Sequence, residues 1–175
     1  MNALADSRVA DYLNENFICT YLKVGTLQIV NGQKQGGNVA SYFCVYDGGV
    51  LHAVPGQTNA NKLLSEARWA YETRKSALTF STDLVSGERN MNKYMEQVRK
   101  SHHERYHAEQ NGWSGPRNGR ALPPIPATMP RNLGQQVQAH WLLTKGPLAK
   151  IDTVYPVVWT QILREQLSGL PVAKR

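Results

Sequence analysis

The segment RKSHHERYHAEQ, residues 99–110, carries a spacing that matches a catalytic signature. His103, Glu104 and His107 stand as H-E-x-x-H, in which two histidines bind zinc and the glutamate acts as the general base of a metalloprotease. This spacing gives one functional hypothesis, a metal-dependent hydrolase with His103 and His107 as the metal ligands.

The helix that must carry this motif argues against the hydrolase. At 100° per residue its apolar stripe passes through His102, so His103 and His107 are predicted on the opposite, solvated face. A zinc protease also needs a third ligand, and residues 111–150 contain no acidic side chain. Arg105 lies inside the motif, where its charge would weaken metal binding. We therefore predict no metal site and no cofactor.

Composition is that of an ordinary globular protein. The 175 residues are 41% hydrophobic and 9% aromatic, enough for one domain or a small domain with an extension. The formal charge of +7 favours acidic partners without specifying one. No apolar run is long enough to cross a membrane, and the first residues lack the pattern of a secretory signal. We expect a soluble, basic protein of the cytoplasm; an extension upstream of Met1 would leave the compartment open.

The elements of the first half alternate between helix and strand. A helix is predicted at 5–17, capped by Asp6 or Ser7, and a strand at 17–24. Two apolar runs around Asp47-Gly48-Gly49 predict a β-hairpin at 38–56. An amphipathic helix follows at 58–75.

This order of elements is similar to the second half of the thioredoxin fold. The stretch GGNVASYFCVYDGGV, residues 36–50, aligns without gaps with the segment that begins just before the cis-proline of that fold and ends after its hairpin turn. The resemblance covers residues 1–75 and implies a thioredoxin-like domain at 1–78. This sequence departs from the family at two points: Ala40 stands at the position of the cis-proline, and the central strand with its Cys-x-x-Cys is missing.

Residues 79–175 are predicted to form a mainly helical extension. A long charged helix is predicted at 88–110, a Pro-rich strap at 111–131, and two further helices at 132–144 and 155–169. The fold class expected for the whole chain is α/β, with a partial thioredoxin-like domain followed by a mainly α-helical extension.

The Pro-rich strap is a candidate binding site. Its prolines favour polyproline II, which binds aromatic grooves, although such a segment also packs across its own domain. The residues assigned to binding are Trp113, Arg117, Arg120, Pro123, Pro124 and Pro126. The expected partner is a protein or a second copy of the chain. Nucleic acid is not expected, because no aromatic-interleaved basic pattern is present, and neither is a membrane.

Two cysteines, Cys19 and Cys44, are too few for a disulfide scaffold. Both are predicted to lie buried in strands as small apolar side chains. The predicted function is accordingly a non-catalytic thioredoxin-like structural or protein-interaction module. The alternative is a thiol–disulfide protein whose first strand and Cys-x-x-Cys lie upstream of this chain.

The missing central strand would leave unpaired backbone groups between the strands predicted at 17–24 and 40–46. The gap could be closed by direct pairing of the two strands, by a later strand such as residues 77–83, or by a strand from a partner or a second copy. We expect it to be filled from outside the first 75 residues.

Overall fold

A computed structural model describes residues 3–22, 28–30, 33–35, 38–112 and 122–167. Within these ranges the architecture is mixed α/β, and helices dominate. The first described element is a 3-10 turn, Ala3–Ala5. The helices are α1 (Ser7–Asn16), α2 (Ala60–Ser81), α3 (Met91–Asn111), α4 (Gln135–Lys145) and α5 (Ile151–Val157). The strands are β1 (Gln28–Val30), β2 (Gln33–Gln35), β3 (Ala40–Cys44) and β4 (Val50–Pro55).

Strands β3 and β4 form the predicted antiparallel hairpin. Tyr42 pairs with Ala53 and Phe43 with His52, and the register shifts by one residue beyond Phe43. Gly48 in the turn has a φ of +84°, a conformation that side chains with a Cβ rarely adopt. All six residues of β4 are buried, so this strand lies inside the core. A second short hairpin, β1–β2, lies in the segment between the predicted elements.

Asparagine caps begin the two long helices. Asn59 starts α2 and Asn90 starts α3, and each side chain accepts a hydrogen bond from the backbone N–H three residues later. Helix α2 continues to Ser81, well beyond the predicted end at residue 75. The candidate filling strand at 77–83 is therefore wrong, because most of it is helical.

The strand predicted at 17–24 is also wrong for residues 17–22, which lie in no helix or strand; residues 23 and 24 fall outside the described ranges. Ile18 is fully exposed and Cys19 is exposed, so the burial predicted for Cys19 is wrong as well. The aromatic and β-branched residues of this segment favour a strand only where a neighbouring strand supplies hydrogen bonds and packing.

Within the described residues, groups from the C-terminal half cover the outer edge of β4. The Val50 N–H donates to the Ala149 carbonyl at 2.9 Å, and side chains bind two carbonyls farther along the strand. The Gln136 side chain of α4 donates a hydrogen bond from Nε2 to the Ala53 carbonyl, at 3.0 Å. The His102 ring of α3 binds the Leu51 carbonyl through Nε2, at 2.8 Å. In a larger sheet, the Leu51 and Ala53 carbonyls would bind a neighbouring strand. Here they bind side chains from the C-terminal half of the chain.

The apolar core runs from the hairpin into the C-terminal half. One cluster combines β4 with α4, α5 and the turn after α5; its buried members are Val50, Ala53, Ala139, Leu143, Val154, Val158, Trp159, Ile162 and Leu163. A second cluster joins α1 and α2 to the other face of the hairpin through residues such as Val9, Phe43 and Leu63. The division into domains at residue 78 stays a prediction.

The last helix begins earlier than predicted. Helix α5 starts at Ile151, contains Pro156 and continues as a π-helical turn, Val158–Ile162. Proline has no N–H to donate within a helix, which fits the change of hydrogen-bond pattern directly after it. None of the described helices is long and apolar enough to cross a membrane.

Candidate metal centre

Three histidines meet in the core: His52 from β4, His102 from α3 and His140 from α4. All three are 0% exposed. Each histidine has one ring nitrogen that lies within 4.8 Å of a ring nitrogen of the other two histidines. Within the described ranges, no other group of three or more His, Cys, Asp or Glu side chains has this spacing. We call this group the histidine trio.

The local sequence explains why each ring points inward. His52 lies in a strand whose every residue is buried. His102 shares the apolar stripe of α3 with Val98 and Tyr106, both buried. His140 lies in α4 beside the buried Ala139. Each histidine therefore occupies a position that the hydrophobic pattern assigns to the core.

Two of the rings are oriented by hydrogen bonds at Nε2. The Leu51 carbonyl can only accept, so the Nε2 of His102 must carry the proton in their 2.8 Å hydrogen bond. Likewise the Nε2 of His52 donates to the Glu66 carboxylate, at 2.9 Å. In a neutral ring the other nitrogen, Nδ1, then has a free lone pair.

Without a cation, two of the six ring nitrogens of the trio lack a hydrogen-bond partner within the described part of the chain. The Nδ1 atoms of His102 and His140 are 2.8 Å apart, so His140 donates to His102 when no cation is present. The Nδ1 of His52 and the Nε2 of His140 then have no hydrogen-bond partner among the described residues. The orphaned His140 nitrogen faces Glu109 Oε1 at 3.6 Å.

A cation between the three Nδ1 atoms would resolve this arrangement. It would accept all three lone pairs, and His140 could then carry its proton on Nε2, directed at Glu109. Metal-binding histidines characteristically donate their outer N–H to a carboxylate or a backbone carbonyl, and the partners here are Glu66, Leu51 and Glu109. Metal–nitrogen bonds of about 2.0–2.1 Å place ligand nitrogens roughly 3.4 Å apart. On binding, the Nδ1 atoms of His102 and His140, now 2.8 Å apart, would move apart by about half an ångström. Two ligand nitrogens at the 4.8 Å limit would move closer by somewhat more than one ångström.

Burial keeps the trio in the form that binds metals. Desolvation lowers the pKa of His52, and it lowers that of His140 well below the usual value. Desolvation together with the neighbouring His52 lowers the pKa of His102 to about 3. Because metal ions bind neutral imidazole, the trio needs no deprotonation at neutral pH.

A charged rim surrounds the trio. Arg105 binds Glu66 through Nη2 at 2.8 Å and Glu109 through Nε at 2.9 Å. Burial alone would raise the pKa of Glu66, but the His52 hydrogen bond and the Arg105 charge hold it below the usual value. Desolvation raises the pKa of Glu109. Arg105, expected from the motif to oppose metal binding, thus pairs with the carboxylates that orient His52 and face His140.

Trp69 of α2 closes the remaining side. Its ring centroid lies 4.7 Å from that of His52, 5.1 Å from that of His102 and 5.4 Å from that of His140, each in a T-shaped arrangement. The Arg105 guanidinium lies 5.2 Å from the same indole ring. Trp69 is half-buried, so it separates the trio from solvent.

The H-E-x-x-H histidines lie elsewhere and bind the Pro-rich strap. The Nε2 atoms of His103 and His107 lie 2.6 Å and 2.9 Å from the same Pro123 carbonyl. His107 is buried, so the solvated face predicted for it is wrong. These contacts place a backbone oxygen where the protease hypothesis requires a metal ion.

The strap residues assigned to binding divide into two groups. Trp113, Arg117 and Arg120 lie outside the described residues. Pro123, Pro124 and Pro126 are exposed, while the carbonyls of Pro123 and Pro126 accept hydrogen bonds from α3 and from Trp141. The described part of the strap thus packs across its own chain, and its role in binding a partner stays a prediction.

The chain matches no family model, no curated protein and no solved structure. Its function must be inferred from the chemistry of its own side chains.

Proposed function

We propose that this chain is a non-catalytic module built around a buried transition-metal centre. The ion is held by the Nδ1 atoms of His52, His102 and His140, and it joins β4 to α3 and α4. One observation carries the proposal: one ring nitrogen of each of three buried imidazoles lies within 4.8 Å of those of the other two, while the Nε2 atoms of His52, His102 and His140 lie beside Glu66, the Leu51 carbonyl and Glu109.

A buried histidine network without metal explains this arrangement less well. It leaves the Nδ1 of His52 and the Nε2 of His140 without partners. Each unsatisfied buried polar group destabilises a fold by about 1–3 kcal/mol. Apolar side chains at the same three positions would avoid that penalty, whereas a bound ion removes it.

Burial favours a structural ion over a catalytic one. Catalytic metal sites keep a coordination position open to water and substrate, but the ligands here are fully buried. Two surface clefts, one lined by residues 80–93 and the other by residues between 72 and 97, contain no member of the trio. A hydrolase based on His103, Glu104 and His107 has less support still, because both histidines bind the strap.

The thioredoxin-like relationship of residues 1–75 belongs to the same proposal. Its support is the antiparallel hairpin followed directly by α2. We propose that such a module acts through a protein partner or a second copy of itself, in the cytoplasm. Thiol chemistry by Cys44 itself has less support, because burial raises the pKa of Cys44 to about 11 and thus opposes formation of the reactive thiolate. A thiol–disulfide protein with its Cys-x-x-Cys upstream of this chain stays the alternative.

Metal analysis of the purified full-length chain tests the proposal. We expect about one transition-metal ion per chain, and a fall in melting temperature after the ion is removed by a chelator. His102→Leu and His140→Leu should each abolish stoichiometric binding. The double variant His103→Gln, His107→Gln is the matched control, because it removes two histidines from the same helix and leaves the trio intact.

Two results would contradict the proposal. One is a metal-free protein whose melting temperature does not respond to added zinc, cobalt or copper. The other is binding that is lost in the control pair and retained in the trio variants, which would move the site to the H-E-x-x-H motif.

A further inference from the structure

Four rings form an almost regular tetrahedron in the core. The centroids of the three imidazoles lie 5.1–5.8 Å apart, and that of Trp69 lies 4.7–5.4 Å from each of them. The indole therefore occupies the corner at which a tetrahedral metal site would have its fourth ligand.

Trp69 cannot be that ligand, because the indole nitrogen is a donor only. No fourth His, Cys, Asp or Glu side chain joins the trio in the part of the chain that the structure describes. Structural zinc sites almost always have four protein ligands, and catalytic ones add a water molecule. The trio offers three nitrogens and an aromatic ring in the remaining direction.

The charged rim points to an ion of low charge. Glu66 and Glu109 share one cation, Arg105, so these three side chains carry one net negative charge when both carboxylates are ionised. A monovalent ion balances that charge, whereas a divalent ion leaves an excess positive charge in a desolvated site, which is unfavourable.

We infer that the metal centre of the proposed function selects a cuprous ion, bound by His52, His102 and His140 and covered by the indole of Trp69. Cu(I) and Zn(II) both have a filled d shell, which imposes no preferred geometry, and imidazole is a suitable ligand for both. The number of protein ligands and the net charge of the rim therefore distinguish the two ions at this site. Cu(II) favours a square-planar or tetragonal arrangement, which a tetrahedron of rings does not provide. The aromatic ring adds a cation–π attraction.

The test uses the metal-free full-length chain under nitrogen. Cu(I), kept reduced by ascorbate, competes for the protein against bicinchoninate, and Zn(II) is titrated separately against EGTA. X-ray absorption then counts the ligands of each bound ion. We expect one Cu(I) with three nitrogen ligands, quenching of Trp69 fluorescence, and Cu(I) binding tighter than Zn(II) binding.

Two variants test the role of the indole. Trp69→Ala opens the fourth side to water, so we expect about a tenfold loss of Cu(I) affinity, in line with about 1–2 kcal/mol for a cation–π contact. Zn(II) affinity should be unchanged or higher, with a fourth, oxygen ligand. Trp69→Phe keeps an aromatic ring and should retain most of the Cu(I) preference. Circular dichroism confirms that each variant is folded, and Trp69→Phe keeps the test decisive if Trp69→Ala does not fold.

The outcomes separate the inference from the function on which it rests. Tight zinc binding through the trio, with four or more ligands and no preference for Cu(I), would overturn the inference and leave the metal centre in place. Equal Cu(I) affinity in wild type, Trp69→Phe and, where it folds, Trp69→Ala would likewise overturn it. Binding of neither ion would overturn both.

Discussion

His102 and His140 lie 38 residues apart in the chain and on different helices, yet their Nδ1 atoms are 2.8 Å apart in the core. Two neutral rings can share one proton across that distance, but two imidazolium rings cannot, since both nitrogens would then be donors. The stability of the metal-free protein should therefore depend strongly on pH.

We expect the free energy of unfolding of the metal-free chain to fall as pH decreases from about 6.5 to 5. The pKa of each trio histidine is lowered in the folded state, so the unfolded chain binds more protons in this window. Each histidine that stays neutral contributes a loss of up to about 1.4 kcal/mol per pH unit. The raised pKa of Glu109 makes the free energy of unfolding rise as pH decreases. We expect this effect of one carboxyl group to be smaller than the combined effect of three histidines.

Urea unfolding at several pH values, in the presence of a chelator, measures how the free energy of unfolding depends on pH. His103→Gln is the control, because it removes a histidine of the same helix and leaves the trio intact. A free energy of unfolding that is flat across the window would contradict the protonation states assigned to the trio.

The Glu66 carboxylate should be the most sensitive charged group of the fold. It is 2% exposed and accepts hydrogen bonds from both His52 and Arg105. Glu66→Ala leaves the Nε2 of His52 without its acceptor and leaves Arg105 paired with Glu109 alone, so it should destabilise the chain by about 3 kcal/mol. Glu66→Gln keeps an acceptor oxygen and should lose less. Chemical denaturation measures both, with Glu72→Ala on the exposed face of the same helix as the control, expected within about 0.5 kcal/mol of wild type.

The Pro-rich strap should loosen when its histidine contacts are removed. His107 is buried and binds the Pro123 carbonyl, so His107→Ala should lower stability by about 1–2 kcal/mol. His103→Ala, at a half-exposed position, should have a smaller effect. Limited proteolysis measures how firmly the strap is held. The rate of cleavage near residue 123 should increase in the order wild type, His103→Ala, His107→Ala. Identical cleavage rates in all three would show that these hydrogen bonds do not hold the strap.

The two thiols should react at very different rates. Cys19 is exposed, while Cys44 is half-buried and burial raises its pKa to about 11. A thiol reagent at pH 8 should give one fast and one slow phase, because only the thiolate reacts. Cys19→Ser should remove the fast phase alone. A fast phase that persists in Cys19→Ser would place a reactive thiolate at Cys44.

Residues 1–81 should not fold alone. Val50 and Ala53 of β4 pack against α4 and the segment after it, and the Leu51 and Ala53 carbonyls bind side chains from α3 and α4. Without those helices, an apolar strand with unpaired backbone oxygens would face water. The fragment should aggregate or lack a cooperative urea transition, whereas the full chain should show one. A soluble monomer that unfolds cooperatively would contradict this expectation.

Local patterns in the sequence predicted the helices and the hairpin, because caps, periodicity and turn residues act over short distances. Asp6, for example, caps α1 as expected. The strand predicted at 17–24 failed over its described residues because a strand depends on a partner that the local sequence does not specify. The histidine trio could not be found from spacing, since its members come from three separate elements. The available signal was that His52, His102 and His140 occupy apolar positions of their elements.

The hydrogen bond from His102 to the Leu51 carbonyl spans 51 residues of sequence. Ligands drawn from such distant segments come together only after most of the chain has assembled, so we do not expect an ion bound here to nucleate folding. An ion bound by the trio would therefore arrive late in folding, and its release would require β4, α3 and α4 to separate. The rate of metal exchange should thus follow the rate of local opening, and an ion held here would be retained for as long as the core stays closed.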